Sequence, residues 1–281
     1  MPLNGFTSSL QLIEHIKSSK YGDWFCVGAA CYPEGHPNKT STITEKEVQS
    51  LSVSEAKRYS RYTDPESNAV SYLVCKDNHF AEEIAYLKEK VNAGATFLIT
   101  QMFFDVQVFI EFFQFCRQSG ITVPIIPGLM LVGSYGGFKR MTKMCKTRVP
   151  EEIESAVEAL KADDEGLKEY GVKLGVKMAC QLLEFGVIGL HFYTLNSSVQ
   201  TTKILDQLRE LLPLLNLGSA AGALVTPFAI GTLVRTVYGV GTVEDIAEDG
   251  SIVCSLKKWK EAKIVVDPRL TLSRQSVISL V

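Results

Sequence analysis

The chain has 281 residues, 46% of them hydrophobic and 21% charged, with a formal net charge of -2 at pH 7. This length holds one large domain, or one domain with a small module, and the apolar content is ample for a core. Near-neutral charge excludes a strong field for nucleic acid or a membrane surface, and no apolar run reaches the roughly 20 residues of a membrane span.

The N-terminus, MPLNGFTSSL, has no basic stretch before an apolar one, so no secretory signal is expected. The first strand-like run is WFCVGAACY, residues 24–32. Residues 38–80 then break the rhythm, being rich in Ser, Thr, Glu and Lys. A connection this long is uncommon in a compact βα unit. It reads as a surface insertion, mostly disordered, with a short helix around 45–58. Ile84, Leu87 and Val91 mark a helix that Gly94 stops. The strand FLITQMFF (97–104), a helix over 107–118, and the strand VPIIPGLML (123–131) follow. Leu167, Tyr170, Leu174, Met178 and Leu182 trace a longer helix ending at Gly186, before the strand GLHFYTLN (189–196). Strands this continuously apolar are covered on both faces, so an α/β fold with a parallel sheet is expected over 1–215.

After about residue 215 the pattern changes. LGSAAGALVTP is a small-residue linker, placed at 216–224. From 225 to 281 strands and turns take over, with Ile252, Cys254 and Leu256 alternating and Asp249-Gly250 as a hairpin turn. This segment reads as a small β-barrel, weakly SH3-like or Tudor-like. Seven scattered cysteines form no CxxC and no metal-spaced Cys/His cluster, and are read as reduced thiols of a cytoplasmic protein.

Polar groups sit at the C-terminal end of every predicted barrel-type strand, where such folds present function. They are Tyr32 with Pro-Glu-Gly-His36, then Gln101, then Pro127-Gly128 with GSYGGF, then Tyr193, Thr194 and Asn196. The sequence has no Ser-His-Asp order, phosphate loop, strand-to-helix GxGxxG or metal constellation. Such a mouth suits a planar or amide-rich ligand that carries the reaction itself. By residue type alone, Tyr32 and Tyr193 read first as core aromatics with a wet hydroxyl. His36 reads as a loop histidine, Glu83 and Lys90 as a solvated helix face, and Phe103-Phe104 as core. Gln101 differs, because a strand-end amide among apolar residues needs partners.

AACYPEGHP, LKEKVNAGATFLITQMFFD, GITVPIIPGLMLV and LHFYTLN together resemble the methylenetetrahydrofolate reductase family over roughly residues 8–210. The resemblance implies a (β/α)8-barrel flavoprotein, here a partial TIM-type barrel of about four βα units. It implies FAD-dependent reduction of 5,10-methylenetetrahydrofolate to 5-methyltetrahydrofolate with NAD(P)H as hydride donor, in one-carbon metabolism and methionine supply. It places Tyr32 and His36 against FAD, Glu83 and Lys90 by its ribose and diphosphate, Tyr193 near the flavin, and Gln101 on the pterin ring with Phe103-Phe104 as walls.

The sequence also departs from the family. It starts at what resembles the family's fourth helix, without the family's general-acid glutamate or its flavin-side aspartate. Ser197 stands where an arginine follows the last strand. Two readings result: a reductase by family, or a truncated, non-catalytic member (or fragmentary gene) acting as an interaction protein through 225–281. Four strands supply three of eight barrel pairings, so a homo-oligomer or pairing along open barrel edges is expected.

Overall fold

The computed structural model describes residues 5–63 and 69–211, and beyond them the backbone of five strands between 233 and 280. The chain divides into two units, Met1–Ile13 with Val27–Gly218, and Glu14–Cys26 with Ser219–Val281.

The N-terminal helix α1 (Ser9–Ser18) is divided between the units at Ile13, and β1 (Gly28–Cys31) is the first strand of the first unit. This strand is shorter than the predicted 24–32. Gly22–Trp24 turn as a 3-10 helix, and Trp24 and Phe25 are each 57% exposed. An apolar run therefore overstates a strand when its first aromatics face water.

The 38–80 segment corrects the sequence reading most. Its described residues form β2 (Thr40–Ile43), α2 (Glu45–Val48), α3 (Val53–Arg58), β3 (Tyr59–Thr63) and β4 (Val70–Cys75), not a disordered loop. The three strands pair antiparallel in the order β2-β4-β3. The polar residues that suggested disorder are helix caps. Thr44 with Glu47, and Ser52 with Glu55, each form a reciprocal capping box. Val74 and Cys75 are fully buried, and the guanidinium of Arg58 lies 4.2 Å from the Phe80 ring. Arg58 also pairs with Asp77 and donates to the Cys75 carbonyl. Lys57 pairs with Glu111, tying this subdomain to the βα frame.

That frame continues through α4 (Asp77–Asn92), β5 (Phe97–Thr100), α5 (Val106–Gln118), β6 (Ile125–Ile126), β7 (Gly128–Met130), α6 (Tyr135–Cys145), α7 (Glu151–Ala159), α8 (Asp164–Phe185), β8 (His191–Tyr193) and α9 (Ser198–Leu211). β1, β5 and β6 form one parallel sheet, and β7 and β8 form a parallel pair. The predicted strand 123–131 is thus two strands, divided at Pro127, which has no N–H to give a ladder.

Thr100 bridges that division. Its hydroxyl oxygen accepts from the Gly128 N–H at 2.9 Å, and its carbonyl accepts from the Tyr193 hydroxyl at 2.8 Å. The sheet therefore changes partner at Pro127 without leaving these polar groups unmet. Phe103, Phe109 and Phe112 sit in the core beside Leu98 and Ile125, under α4, α5 and α8. Among the described residues no helix is long and apolar enough to cross a membrane.

In the second unit, β9 (Leu233–Thr236), β10 (Gly239–Ile246), β11 (Ile252–Leu256), β12 (Arg269–Leu272) and β13 (Val277–Leu280) form an antiparallel sheet in the order β12-β11-β10-β9-β13. Four strands meander and the fifth returns to pair with the first. The Asp249-Gly250 turn and the linker at 216–224 lie outside the described residues.

Candidate functional site

The loops after β1, β5 and α6 meet the β2–β4 subdomain around one cleft. Tyr32, Glu34, Gln101, Met102, Lys146 and Arg58 are among the residues that line it. Neighbouring strands hold it together at its base, where the Gln101 N–H donates to the Cys31 carbonyl at 2.7 Å.

Gln101 stands where its position in the sequence placed it. Its Oε1 accepts from the Met102 N–H at 3.0 Å, which fixes the amide's orientation. Its Nε2 donors have no partner among the described residues and are available to a ligand. The Tyr32 hydroxyl likewise has no partner among the described residues, and burial, with Glu83 next in effect, pushes this phenol's pKa up. A neutral phenol donates one hydrogen bond. The His36 ring packs edge-on against Tyr32, with centroids 4.5 Å apart. His36 Nδ1 accepts from the Asn38 N–H at 3.1 Å, so the neutral ring carries its proton on Nε2. These three donors come from two strand ends.

The other three sequence candidates are placed differently. Lys90 is buried at 6% exposure, with Nζ 5.1 Å from the Tyr86 ring centroid. Its ammonium donates to the Ala30 carbonyl at 2.8 Å. Because Cys31 turns its carbonyl to β5, Ala30 turns away from β5, toward the side of β1 that has no strand partner among the described residues. Lys90 thus covers part of an open edge, and burial lowers its pKa. The solvated-face reading fails for it. Glu83, seven residues earlier on α4, is half-buried and acts on both Tyr32 and Lys90 through its charge. Tyr193 gives its hydroxyl to Thr100 and packs its ring on His191 at 4.6 Å. Ser197 is used locally, donating to Gln200 Oε1 at the head of α9.

Phe103 and Phe104 do not wall the cleft. Phe103 stacks on Phe109 and Phe104 packs edge-on against Phe138, both in the core. Met102 takes the position beside Gln101. The strand ends at Thr100, so alternation no longer decides which way these rings point.

Sequence reasoning missed Glu34, Arg58, Lys146 and Arg148. Lys146 adopts a left-handed conformation at the end of α6, and its ammonium donates to the Pro37 carbonyl and to Thr40 Oγ1. Arg148 pairs with Asp105, the N-cap of α5, and its backbone N–H donates to Glu34 Oε2 at 2.8 Å. The acid within PEGHP was the visible signal for Glu34. Nothing local signalled Lys146, Arg148 or Arg58, which chain crossings bring to the cleft. Among the described residues, no cluster of His, Cys, Asp and Glu could hold a metal ion.

The Lys90→Met variant tests this bond. Loss of the ammonium leaves the Ala30 carbonyl without its donor, so the thermal midpoint should fall, by about 1–3 kcal/mol in stability. A variant as stable as the parent would show that the Ala30 carbonyl does not depend on the Lys90 ammonium.

Parallel strands followed by helices, with hydrogen-bonding side chains gathered at the ends of two adjacent strands, define an α/β protein with a cleft at its strand ends. The family model for methylenetetrahydrofolate reductase matches residues 2–57 and 60–209. The chain belongs to the methylenetetrahydrofolate reductase family. It is 40% identical over 204 residues to a rice protein named "Probable methylenetetrahydrofolate reductase (NADH)", covering 73% of this chain and 29% of that one. It is 39% identical, with the same coverage, to "Methylenetetrahydrofolate reductase (NADH) 1" of Arabidopsis thaliana. A Salmonella typhimurium "5,10-methylenetetrahydrofolate reductase" is 39% identical over 114 residues, 41% of this chain and 38% of that one. The chain therefore spans about three-tenths of the length of the plant relatives.

Proposed function

We propose that this chain carries the folate- and flavin-facing half of a TIM-type barrel that reduces 5,10-methylenetetrahydrofolate to 5-methyltetrahydrofolate. The observation that carries the reading is the pair of uncommitted donors, Gln101 Nε2 and the Tyr32 hydroxyl, in one cleft at the ends of adjacent parallel strands. A pterin edge offers acceptors to an amide, and Gln101 is the residue assigned to it. Tyr32 and His36 fit a flavin, one by its ring face and free hydroxyl, the other by Nε2–H. Glu83, whose charge acts on Tyr32 and Lys90, is the residue assigned to accept from a ribose hydroxyl. Lys90 and Tyr193 fit less well, since each would first have to release a backbone carbonyl. When bound, FAD supplies two-electron hydride chemistry, with NAD(P)H as its reductant. The protein's own part is to orient the rings, exclude water and hold the donors neutral.

Folate and the nicotinamide are the small-molecule partners in this reading, in the cytoplasm. The strand order β12-β11-β10-β9-β13 supports an SH3-like module at 225–281. That module also carries the second reading, a non-catalytic family member acting as an interaction protein.

The absorbance spectrum of the purified full chain tests the proposal. A flavin band that NADPH or NADH bleaches is the expected result; a colourless protein that takes up no added FAD would sink it and leave the second reading. Light scattering on the same sample should show more than one chain per particle, from pairing along the open edges of β1 and β8. A cooperative monomer of 31.0 kDa would remove that part.

A further inference from the structure

Glu34 is an unexplained group in the cleft. The residue lies in the loop after β1 and lines the same cleft as Gln101 and Tyr32. The residue is half-buried, and its Oε1 is closed off from solvent. Oε2 accepts from the Arg148 N–H, and Oε1 is a buried polar atom with no hydrogen-bond partner among the described residues. A buried orphan of this kind calls for a partner.

The surroundings decide its protonation. Arg148 is the cation whose charge acts on it, but its guanidinium is already paired with Asp105, whose charge opposes a second anion. Lys146 has given its ammonium to Pro37 and Thr40, and Arg58 is paired with Asp77. Tyr32 and Cys145, the other titratable groups lining the cleft, are neutral, each with its pKa raised by burial. Burial dominates and pushes the Glu34 carboxyl up to about 8. At neutral pH it is a carboxylic acid. Since Oε2 accepts from Arg148, the proton belongs on Oε1, a buried O–H donor with no acceptor among the described residues, on a side chain that lines the cleft.

We propose that Glu34 is a ligand-binding residue, whose neutral carboxyl donates to an acceptor heteroatom of the planar heterocycle that Gln101 holds. This rests on the cleft being the folate site, and names Glu34 as a second reader of the ring. The required acceptor is a ring nitrogen or a carbonyl oxygen. An ionised carboxylate would repel either one.

Calorimetric titration of the full chain with 5-methyltetrahydrofolate, from pH 6.5 to 9.5, tests the assignment beside a Glu34→Gln variant. The amide keeps an acceptor for Arg148 and a donor for the ligand, without a proton to lose. Affinity of the parent chain should be level below about pH 8 and fall about tenfold per pH unit above it. Affinity of Glu34→Gln should stay level throughout. A parent chain that binds equally at pH 7 and pH 9.5, or a variant that keeps the parent's decline, overturns the role of Glu34 and leaves the folate cleft standing. If neither protein binds at any pH, the folate cleft and the assignment fall together. Infrared difference spectra of the unliganded proteins give a readout that needs no ligand. At pH 7 the parent should show a protonated-carboxyl band that Glu34→Gln lacks, and absence of that band overturns the proposal.

Discussion

Replacing Gly128 by alanine should unfold the βα unit at temperatures the parent chain survives. A Cβ at this position would lie 2.4 Å from the Thr100 carbonyl oxygen and 2.6 Å from the Tyr193 ring. The first is backbone in the middle of the sheet and cannot swing aside. Gly128 sits where the chain leaves β5 for β8, and both bonds that bridge the division run through Thr100. Pushing the strands apart adds overpacking of about 1–3 kcal/mol to the loss of two hydrogen bonds of about 1 kcal/mol each. A total on the order of 3–5 kcal/mol is a large part of a domain's net stability of about 5–15 kcal/mol. Urea unfolding followed by helical circular dichroism measures it. Gly136→Ala is the control, since a Cβ there meets nothing within 4 Å and the site lies in the first turn of α6. The control should be neutral or slightly stabilising. A Gly128→Ala midpoint equal to that of the control would show that the strands part more easily than the geometry says.

The second large effect is a pH-dependent gain in stability for Glu34→Gln. The carboxyl is raised from its ordinary 4.5 to about 8 in the folded chain, chiefly by burial. The folded state therefore holds this proton more tightly than the unfolded state. The associated stability is present in full below about pH 4.5 and is lost as pH rises, with the loss complete once the pH passes about 8. Each unit of difference is worth about 1.4 kcal/mol, so the parent chain gives up as much as about 5 kcal/mol over this window. An amide in the same place has no proton to lose. The difference in urea midpoint between variant and parent should grow from pH 5 to pH 8 and level off above pH 8.5. A difference that does not change with pH would place the carboxyl in contact with water. This measurement concerns the empty protein, so it bears on burial whatever ligand the cleft takes.

The β–α alternation was legible because each frame strand is apolar on both faces and each helix carries its own period. Gln101 was legible for a related reason: an amide at the end of an apolar strand is conspicuous. Local chemistry was less informative where polar residues serve a fold. In 38–80, Thr44, Glu47, Ser52 and Glu55 read as solvated chain, yet their side chains close the first turns of α2 and α3. The antiparallel pairing of Thr40–Ile43 with Val70–Cys75 is a long-range fact with no short-range signature. Lys90 is the converse case. Its spacing from Glu83 predicted a shared helix face, but only packing showed that the face is turned inward, onto the carbonyl of Ala30.

By itself, then, the sequence determined the order of strands and helices, the family, and the strand-end positions of Tyr32, His36, Gln101 and Tyr193. Periodicity and motif spacing are properties of neighbours along the chain. The tertiary structure alone decided which polar groups remain available. Tyr32 and Gln101 keep open donors, Lys90 and Tyr193 spend theirs on backbone carbonyls, and Glu34 keeps a buried oxygen with no partner among the described residues. Those outcomes depend on where distant segments cross. Hydrogen-bond partners and burial are set by neighbours in space, and a carboxyl's proton follows its surroundings rather than its position in the chain.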